Sequence, residues 1–216
     1  MSQIRHVYRK MTPFQMITIS FFAVILLGSL LLYLPVSAAG GEKTSYLDAL
    51  FTSCSAVCVT GLVTKNTTTY WSVFGKGVIL GLIQIGGLGV VTVIIAVSIF
   101  TGKRIGLRQR NLMQNAVNAP QIGGIIRFTR FLLFFTLGAE GLGALLLAVP
   151  FVRDYGVGGG IWRAVFHSIS AFCNAGFDLL GEKVPFSSLT AYYTDLLLNV
   201  VRCDWRCCGQ RQSGQF

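Results

Sequence analysis

The stretch AVFHSISAFCNAG (164–176) repeats the pattern of ALFTSCSAVCVTG (49–61) at an offset of 115 positions. Seven of the thirteen positions are identical, and both copies end on glycine, Gly61 and Gly176. An apolar stretch before each copy matches at the same offset. Chance matching of leucines would explain that second match alone but not the two matches together, so the chain contains an internal repeat. At the same offset, Gly28, Leu30, Leu31, Leu32 and Pro35 return as Gly143, Leu145, Leu146, Leu147 and Pro150.

Long uncharged apolar stretches flank both copies and indicate membrane spans. Residues 14–34 and 77–102 carry no charge over 21 and 26 positions, and residues 131–152 are interrupted only by Glu140. About 20 helical residues cross the roughly 30 Å hydrocarbon core of a bilayer. With 53% hydrophobic and only 12% charged residues, the sequence predicts an all-α integral membrane protein with about four spans.

The repeated segments themselves are too short to cross a bilayer. We expect residues 45–57 and 160–172 to form re-entrant pore helices, with Ser45 and Asp48 as a capping box. Non-helical backbone at membrane depth is tolerated only where protein buries it or where it lines a water-filled path. Each helix is therefore expected to return as an extended strand beside such a path. The expected strands are residues 57–62 and 172–177.

The placement of charge predicts the orientation of the chain. The net charge is +10. Basic residues cluster before the first span and within residues 103–130, where no acidic residue occurs. The positive-inside rule places the N-terminus and this loop in the cytoplasm of a multi-pass plasma-membrane protein. We expect the lipid bilayer, and not nucleic acid, to be the partner of this charge.

The two returning strands offer oxygen rather than reactive side chains. Neither contains an acid, a base or an activated nucleophile, and the spans lack a Ser–His or Asp–Asp pair, so no enzyme is expected. A ring of backbone carbonyls can replace the hydration shell of a monovalent cation. The negative C-terminal end of each pore helix favours the same ion. Potassium fits such an uncharged filter better than a divalent ion does.

Two of these segments resemble a known family. CVTGL (58–62) and CNAGF (173–177) are similar to the first and second filter segments of the Trk/Ktr/HKT superfamily of potassium transporters. QIGGLG (84–89) is similar to a recurring glycine-rich stretch there, and Glu140 in the third span also fits. The resemblance is closest to the bacterial Ktr/Trk-type membrane subunit.

The resemblance implies four span–pore-helix–filter–span units around one pore, of which this chain holds one and most of a second. It implies transport of potassium, with sodium as the alternative ion, and no covalently bound cofactor. We also expect a homodimer in the full-length parent and a cytosolic nucleotide-binding regulatory subunit near the basic loop, although anchoring of that loop to anionic lipid stays equally open.

The candidate site residues lie in two segments, here called the first glycine loop (58–61) and the second glycine loop (173–176). Outside them, Glu140 is expected to have a buried structural partner, and His167 to pack or hydrogen-bond rather than bind a metal. Gly86 and Gly87 are expected to allow close packing, and the cysteines to be free thiols. The ion-binding candidates are Cys58, Val59, Thr60, Gly61, Cys173, Asn174, Ala175 and Gly176.

The end of the chain breaks the apolar pattern abruptly. Read one nucleotide later, the codons of residues 202–208 permit an apolar Gly-Val-Ile-Gly-Gly-Val-Val run. We therefore expect an out-of-frame tail, with a genuine polar C-terminus as the alternative.

Two alternatives to a potassium transporter are a truncated, inactive fragment and a channel-type cation pore subunit. The internal duplication disfavours the channel-type subunit. The expected organisation is an N-terminus (1–12), a first unit (13–100), a basic loop (101–130), a second unit with an incomplete last span (131–201) and the tail (202–216).

Overall fold

The computed structural model of the chain describes residues 12–89 and 125–180. Within these ranges the chain is helical, and its only pairing of β type is an isolated antiparallel bridge between Ala38 and Trp71. A short 3₁₀ turn, Pro35–Ser37, follows the first helix. The α-helices are α1 (Pro13–Tyr33), α2 (Tyr46–Val57), α3 (Thr67–Tyr70), α4 (Val73–Leu88) and α5 (Ile125–Phe172).

Two of the helices are long and apolar enough to cross a bilayer, judged by length and composition. They are Gln15–Tyr33 within α1 and Thr129–Phe172 within α5, while α4 is a shorter apolar helix. α1 begins with a capping box, in which Thr12 Oγ1 accepts from the Gln15 backbone and Gln15 Oε1 accepts from the Thr12 backbone. It ends before Pro35, whose ring cannot continue a helix.

α2 corresponds to the first predicted short helix, but its predicted capping box is wrong. The Ser45 side chain makes no capping hydrogen bond; only its backbone carbonyl accepts, from the Ala49 N–H at 3.0 Å. The Asp48 carboxylate lies 4.0 Å from Lys65 Nζ instead. Asp48 therefore forms an ion pair with Lys65 of the following loop and does not cap the start of α2.

α5 joins the third predicted span to the second predicted short helix without an intervening loop. Its 48 residues are interrupted only at Gly156, whose φ of 74° and ψ of 172° are not helical. The chain bends there so sharply that a Cβ on Gly160 would lie 2.5 Å from Val152 Cα. The helix begins at Ile125, inside the segment that the sequence assigns to the basic loop.

The core lies where α1, α2 and α4 meet, and it extends to the end of α5. Leu32 of α1, Ala56 of α2 and Ile83 of α4 are fully buried together with Phe166 of α5. The outward sides of α1 and α5 instead expose large apolar side chains, as expected for helices in contact with lipid. Those exposed side chains include Phe22, Leu27, Leu30, Phe131, Phe134, Leu142 and Leu145.

A serine hydroxyl connects each short helical segment to the preceding long one. Ser53 Oγ donates to the Ile25 carbonyl at 2.7 Å, and Ser168 Oγ donates to the Glu140 carbonyl at 2.6 Å. The two serines are 115 positions apart, and so are the two residues whose carbonyls accept. In each case a glycine faces the hydroxyl, because a Cβ on Gly28 or Gly143 would lie 2.5 Å from the serine oxygen.

Several predicted segments lie outside the described residues. They are the N-terminus up to residue 11, the second half of the second span (90–102), most of the basic loop, the last span and the tail. Their predicted placement stays a prediction.

We predict that Gly28→Ala lowers the stability of the chain, whereas Gly77→Ala does not. A Cβ at position 28 would meet Ser53 Oγ at 2.5 Å and Leu82 Cδ1 at 2.7 Å. Overpacking of this kind costs about 1–3 kcal/mol. Nothing lies within 4 Å of a Cβ on Gly77, so that variant is the matched control. Thermal unfolding of the purified chain in detergent measures the difference, and equal midpoints would contradict the close contact of α1 with α2.

Candidate ion-binding site

Each glycine loop begins directly after the last residue of a helix. α2 ends at Val57 and α5 ends at Phe172, so the C-terminal end of each helix faces the loop that follows it. The expectation of an extended strand is wrong at the first residues of these loops. Cys58 has helical dihedrals, and Val59 and Asn174 have φ values of 58° and 55°, in the left-handed region. Each loop is thus a tight turn, and no strand is assigned in either one.

The two loops fold back onto their helices through the same hydrogen bonds. In each loop the first three backbone N–H groups donate to carbonyls of the preceding helix. No donor in the described part of the chain takes the carbonyl oxygens of residues 58–61 or 173–176. The bonds run from Cys58 to Cys54 (2.8 Å), Val59 to Ala56 (3.3 Å) and Thr60 to Ser55 (3.0 Å), and from Cys173 to Ile169 (2.9 Å), Asn174 to Ala171 (2.9 Å) and Ala175 to Ser170 (2.7 Å).

The two loops lie against each other at their glycines. A Cβ on Gly61 would lie 2.5 Å from the Ala175 carbonyl oxygen and 3.1 Å from Gly176 Cα. Gly61 and Gly176 also have positive φ values, 71° and 75°, which favour glycine. Gly61 is therefore favoured for two separate reasons, its positive φ and the close backbone contact, whereas Gly176 is favoured by its φ alone. Cys58, Thr60, Asn174 and Gly176 are solvent-exposed in the chain.

Side-chain hydrogen bonds differ between the two loops. Thr60 Oγ1 donates to Ser55 Oγ at 3.0 Å, which fixes the threonine against α2. In the second loop Ala175 has no hydroxyl, and Ser170 Oγ donates instead to the Phe177 carbonyl at 2.7 Å. The backbones of the two loops thus match, while the side-chain hydrogen bonds that hold them differ.

Gly86 and Gly87 of α4 pack between the ends of the two loop-bearing helices. A Cβ on Gly86 would collide with the Val57 carbonyl oxygen, and one on Gly87 would collide with Cys173 Sγ. The glycine-rich stretch therefore brings α4 into backbone contact with α2 and with the start of the second glycine loop. This is the close packing that the sequence predicted for it.

Glu140 is buried in α5 with 5% of its surface exposed. Gln84 Nε2 donates to both of its carboxylate oxygens, at 2.9 Å and 3.1 Å. On the other side of the amide, Cys173 Sγ lies 4.0 Å from Gln84 Oε1, to which it donates. The contact joins three elements: α5, α4 and the second glycine loop. The sequence analysis did not predict Gln84 as the partner of Glu140, although a polar residue within an uncharged apolar stretch is a signal for such a contact.

His167 fixes the segment that leaves the second glycine loop. Its Nδ1 lies 2.8 Å from the Arg163 carbonyl, and the Leu179 N–H donates to its Nε2 at 3.2 Å. Since Nε2 accepts, Nδ1 carries the proton and donates, so the ring is the neutral Nδ1–H tautomer. The prediction of a hydrogen-bonding histidine is confirmed.

The described cysteines are free thiols. Cys54 and Cys58 are exposed and Cys173 is half-buried. Residues 12–89 and 125–180 contain no group of three or more His, Cys, Asp or Glu side chains arranged to hold a metal ion. Where the two loops touch, at Gly61, Ala175 and Gly176, the polar atoms are those of the main chain.

These features define a helical membrane protein in which two matched, uncharged backbone loops meet. A family model described as a cation transport protein, TrkH, matches residues 3–201. The chain belongs to this Trk/Ktr-type family of potassium and cation transport proteins.

Curated relatives agree with this assignment. The chain is 43% identical over 192 residues to the Ktr system potassium uptake protein B of Bacillus subtilis, covering 89% of this chain and 42% of the relative. It is 41% identical over 188 residues to the potassium/sodium uptake protein NtpJ of Enterococcus hirae, with 87% and 42% covered. The Ktr system potassium uptake protein D of Bacillus subtilis is 34% identical, with 82% and 40% covered. The chain thus spans about two fifths of the length of these transport proteins.

We predict that His167→Leu destabilises the chain because it leaves the buried Leu179 N–H without its acceptor. An unsatisfied buried donor costs about 1–3 kcal/mol. His167→Gln is the matched variant, since an amide oxygen at the end of the side chain can accept from Leu179, and it should retain part of the stability. Thermal unfolding in detergent ranks the three proteins, and a leucine variant as stable as the parent would contradict the role of the ring.

Proposed function

We propose that the chain forms part of a potassium pathway across the plasma membrane, with the two glycine loops as its ion-binding segments. The observation that carries the proposal is the contact of the loops at Gly61, Ala175 and Gly176. Two backbones with the same hydrogen bonds meet there at uncharged residues, of which Gly176 is exposed, Gly61 is half-buried and Ala175 is buried. Membership in the cation transport family and the names of its potassium uptake relatives support the same ion.

The chemistry of the loops favours a monovalent cation. The first three N–H groups of each loop donate back into its helix, while the carbonyl oxygens of the loop accept no hydrogen bond from the described residues and are available to an ion. Such oxygens replace the water around a dehydrated alkali ion. The C-terminal ends of α2 and α5 add partial negative charge, and no fixed charge within the loops attracts a divalent ion. Sodium is the alternative ion, because one relative is named for both potassium and sodium uptake.

We further propose that α2 and the last part of α5 are pore helices. In this architecture α1, α2, the first glycine loop and α4 form one span–pore-helix–filter–span unit, and α5 with the second glycine loop forms most of another. The matched serine contacts and the coverage of about two fifths of the relatives support two units out of four. The N-terminus would lie in the cytoplasm, as the basic loop predicts.

The assembly is also part of the proposal. The family resemblance implies a homodimer of the full-length parent and a cytosolic nucleotide-binding regulatory subunit near the basic loop.

The alternative function is that the 216-residue chain is an inactive fragment by itself. A chimera distinguishes a chain that transports alone from a fragment of a transporter. In this chimera, residues 3–201 replace the matching part of the Bacillus subtilis potassium uptake protein B. Uptake by the chimera but not by the chain alone, in a strain deficient in potassium uptake, would identify a fragment.

We predict that Gly61→Ser in this chimera lowers the ratio of potassium to sodium uptake by about tenfold or more. The serine Cβ would press on the Ala175 carbonyl oxygen at 2.5 Å, in a backbone conformation with φ of 71°. Strain of this kind amounts to about 1–3 kcal/mol. Uptake of both ions is measured by flame photometry at equal amounts of protein in the membrane.

Gly41→Ser is the matched control for this prediction. Gly41 has a similar φ of 64°, but nothing lies within 4 Å of a Cβ there. Its substitution should strain the backbone locally and leave the uptake ratio unchanged. If Gly61→Ser also left the ratio unchanged, the first glycine loop would not be an ion-binding segment.

A further inference from the structure

Glu140 occupies a position where a carboxylate is costly. It lies in the middle of a membrane-spanning helix and is 95% buried, and a charged or polar group in such surroundings needs a compensating contact. Its partner among the described residues is the amide of Gln84, whose Nε2 serves both oxygens. An apolar residue would avoid this cost, so the carboxylate calls for an explanation beyond helix packing.

The first half of the chain shows that packing does not require the carboxylate. Ile25 is the counterpart of Glu140 at the offset of 115, and both residues accept a serine hydroxyl with their backbone carbonyl. That contact joins the short helical segment to the long one equally well with an apolar side chain at position 25. The side chain of Glu140 therefore has a role that this serine contact does not account for.

The carboxylate determines which way the Gln84 amide faces. A carboxylate can only accept hydrogen bonds, so Gln84 must turn its Nε2 toward Glu140. Its Oε1 then faces Cys173, the first residue of the second glycine loop, and accepts from the thiol at 4.0 Å. Gly87 follows Gln84 by three residues, on the same face of α4, and leaves the space that Cys173 Sγ fills.

We propose that Gln84 and Glu140 are positioning residues for the second glycine loop and thereby help to determine ion selectivity. The carboxylate orients the amide, the amide oxygen holds the Cys173 thiol, and the thiol fixes the start of the loop against α4. Neither residue contacts the ion in this arrangement. The inference rests on the proposed potassium pathway and assigns it two residues outside the loops.

The test exchanges the two polar groups in the chimera. Gln84→Glu alone places two acceptors against each other, and it should lower the ratio of potassium to sodium uptake by about threefold to tenfold, the range that one hydrogen bond supports. Combining it with Glu140→Gln restores a donor facing an acceptor and leaves an oxygen toward Cys173. The double variant should return to within about twofold of the parent ratio. Lys43→Gln, at an exposed loop residue, lowers the net charge by one as Gln84→Glu does, and this control should leave the uptake ratio unchanged.

A second measurement follows the thiol directly and does not depend on transport. In a chain whose only cysteine is Cys173, Gln84→Glu should raise the rate of its modification by N-ethylmaleimide several-fold, and the double variant should restore the parent rate. A rescued uptake ratio together with a rescued thiol rate supports the proposal. An unchanged thiol rate in Gln84→Glu overturns it.

The outcomes separate this inference from the proposed function. If the parent chimera discriminates potassium from sodium and Gln84→Glu discriminates equally well, the positioning role is wrong and the pathway stands. If the parent chimera is present in the membrane and takes up no potassium, the proposed function fails, while the thiol rates still decide whether Gln84 and Glu140 hold the loop.

Discussion

Backbone N–H groups that the protein buries must find hydrogen-bond acceptors, and this constraint shapes both glycine loops. Each loop meets it by donating three successive N–H groups to carbonyls in the last turns of its own helix. These bonds use the first three donors of each loop, and the loop carbonyls accept no hydrogen bond from the described residues. The same turn that pairs these donors therefore leaves the carbonyl oxygens of the loop available.

Small residues then determine how closely the surrounding helices approach. Gly86 and Gly87 let the backbone of α4 contact the end of α2 and the start of the second glycine loop. Gly28 and Gly143 make room for the serine hydroxyls that join the helices in each half. α4 contacts both loop-bearing helices, so the positions of the two loops depend on one shared helix.

Much of this arrangement could be predicted from the repeat. Five of the seven identities between residues 49–61 and 164–176 lie on the helices, and the other two are the first and last residues of the glycine loops; equal spacing then produces equal hydrogen bonds. The apolar stretches likewise indicated the helices that are long enough to span a bilayer. Both signals are local, so they could be read from a single sequence.

What could not be predicted depends on contacts between distant residues. The repeat pairs Glu140 with Ile25, so it gives no hint of the amide of Gln84. The sequence assigned Asp48 to its own helix, although Lys65 lies near enough to attract it. Val59 is left-handed only because the turn onto α2 imposes that conformation, and a valine carries no signal for it.

The break at Gly156 gives the two halves connections of very different length. In the first half, residues 34–45 separate α1 from α2 and include the 3₁₀ turn Pro35–Ser37. In the second half one residue separates two rigid rods, and Gly160 is wedged against Val152 just beyond it. One residue in the second half thus makes the turn that twelve residues make in the first, and the contacts Ser53–Ile25 and Ser168–Glu140 still bring both short helical segments to the same place on the long ones.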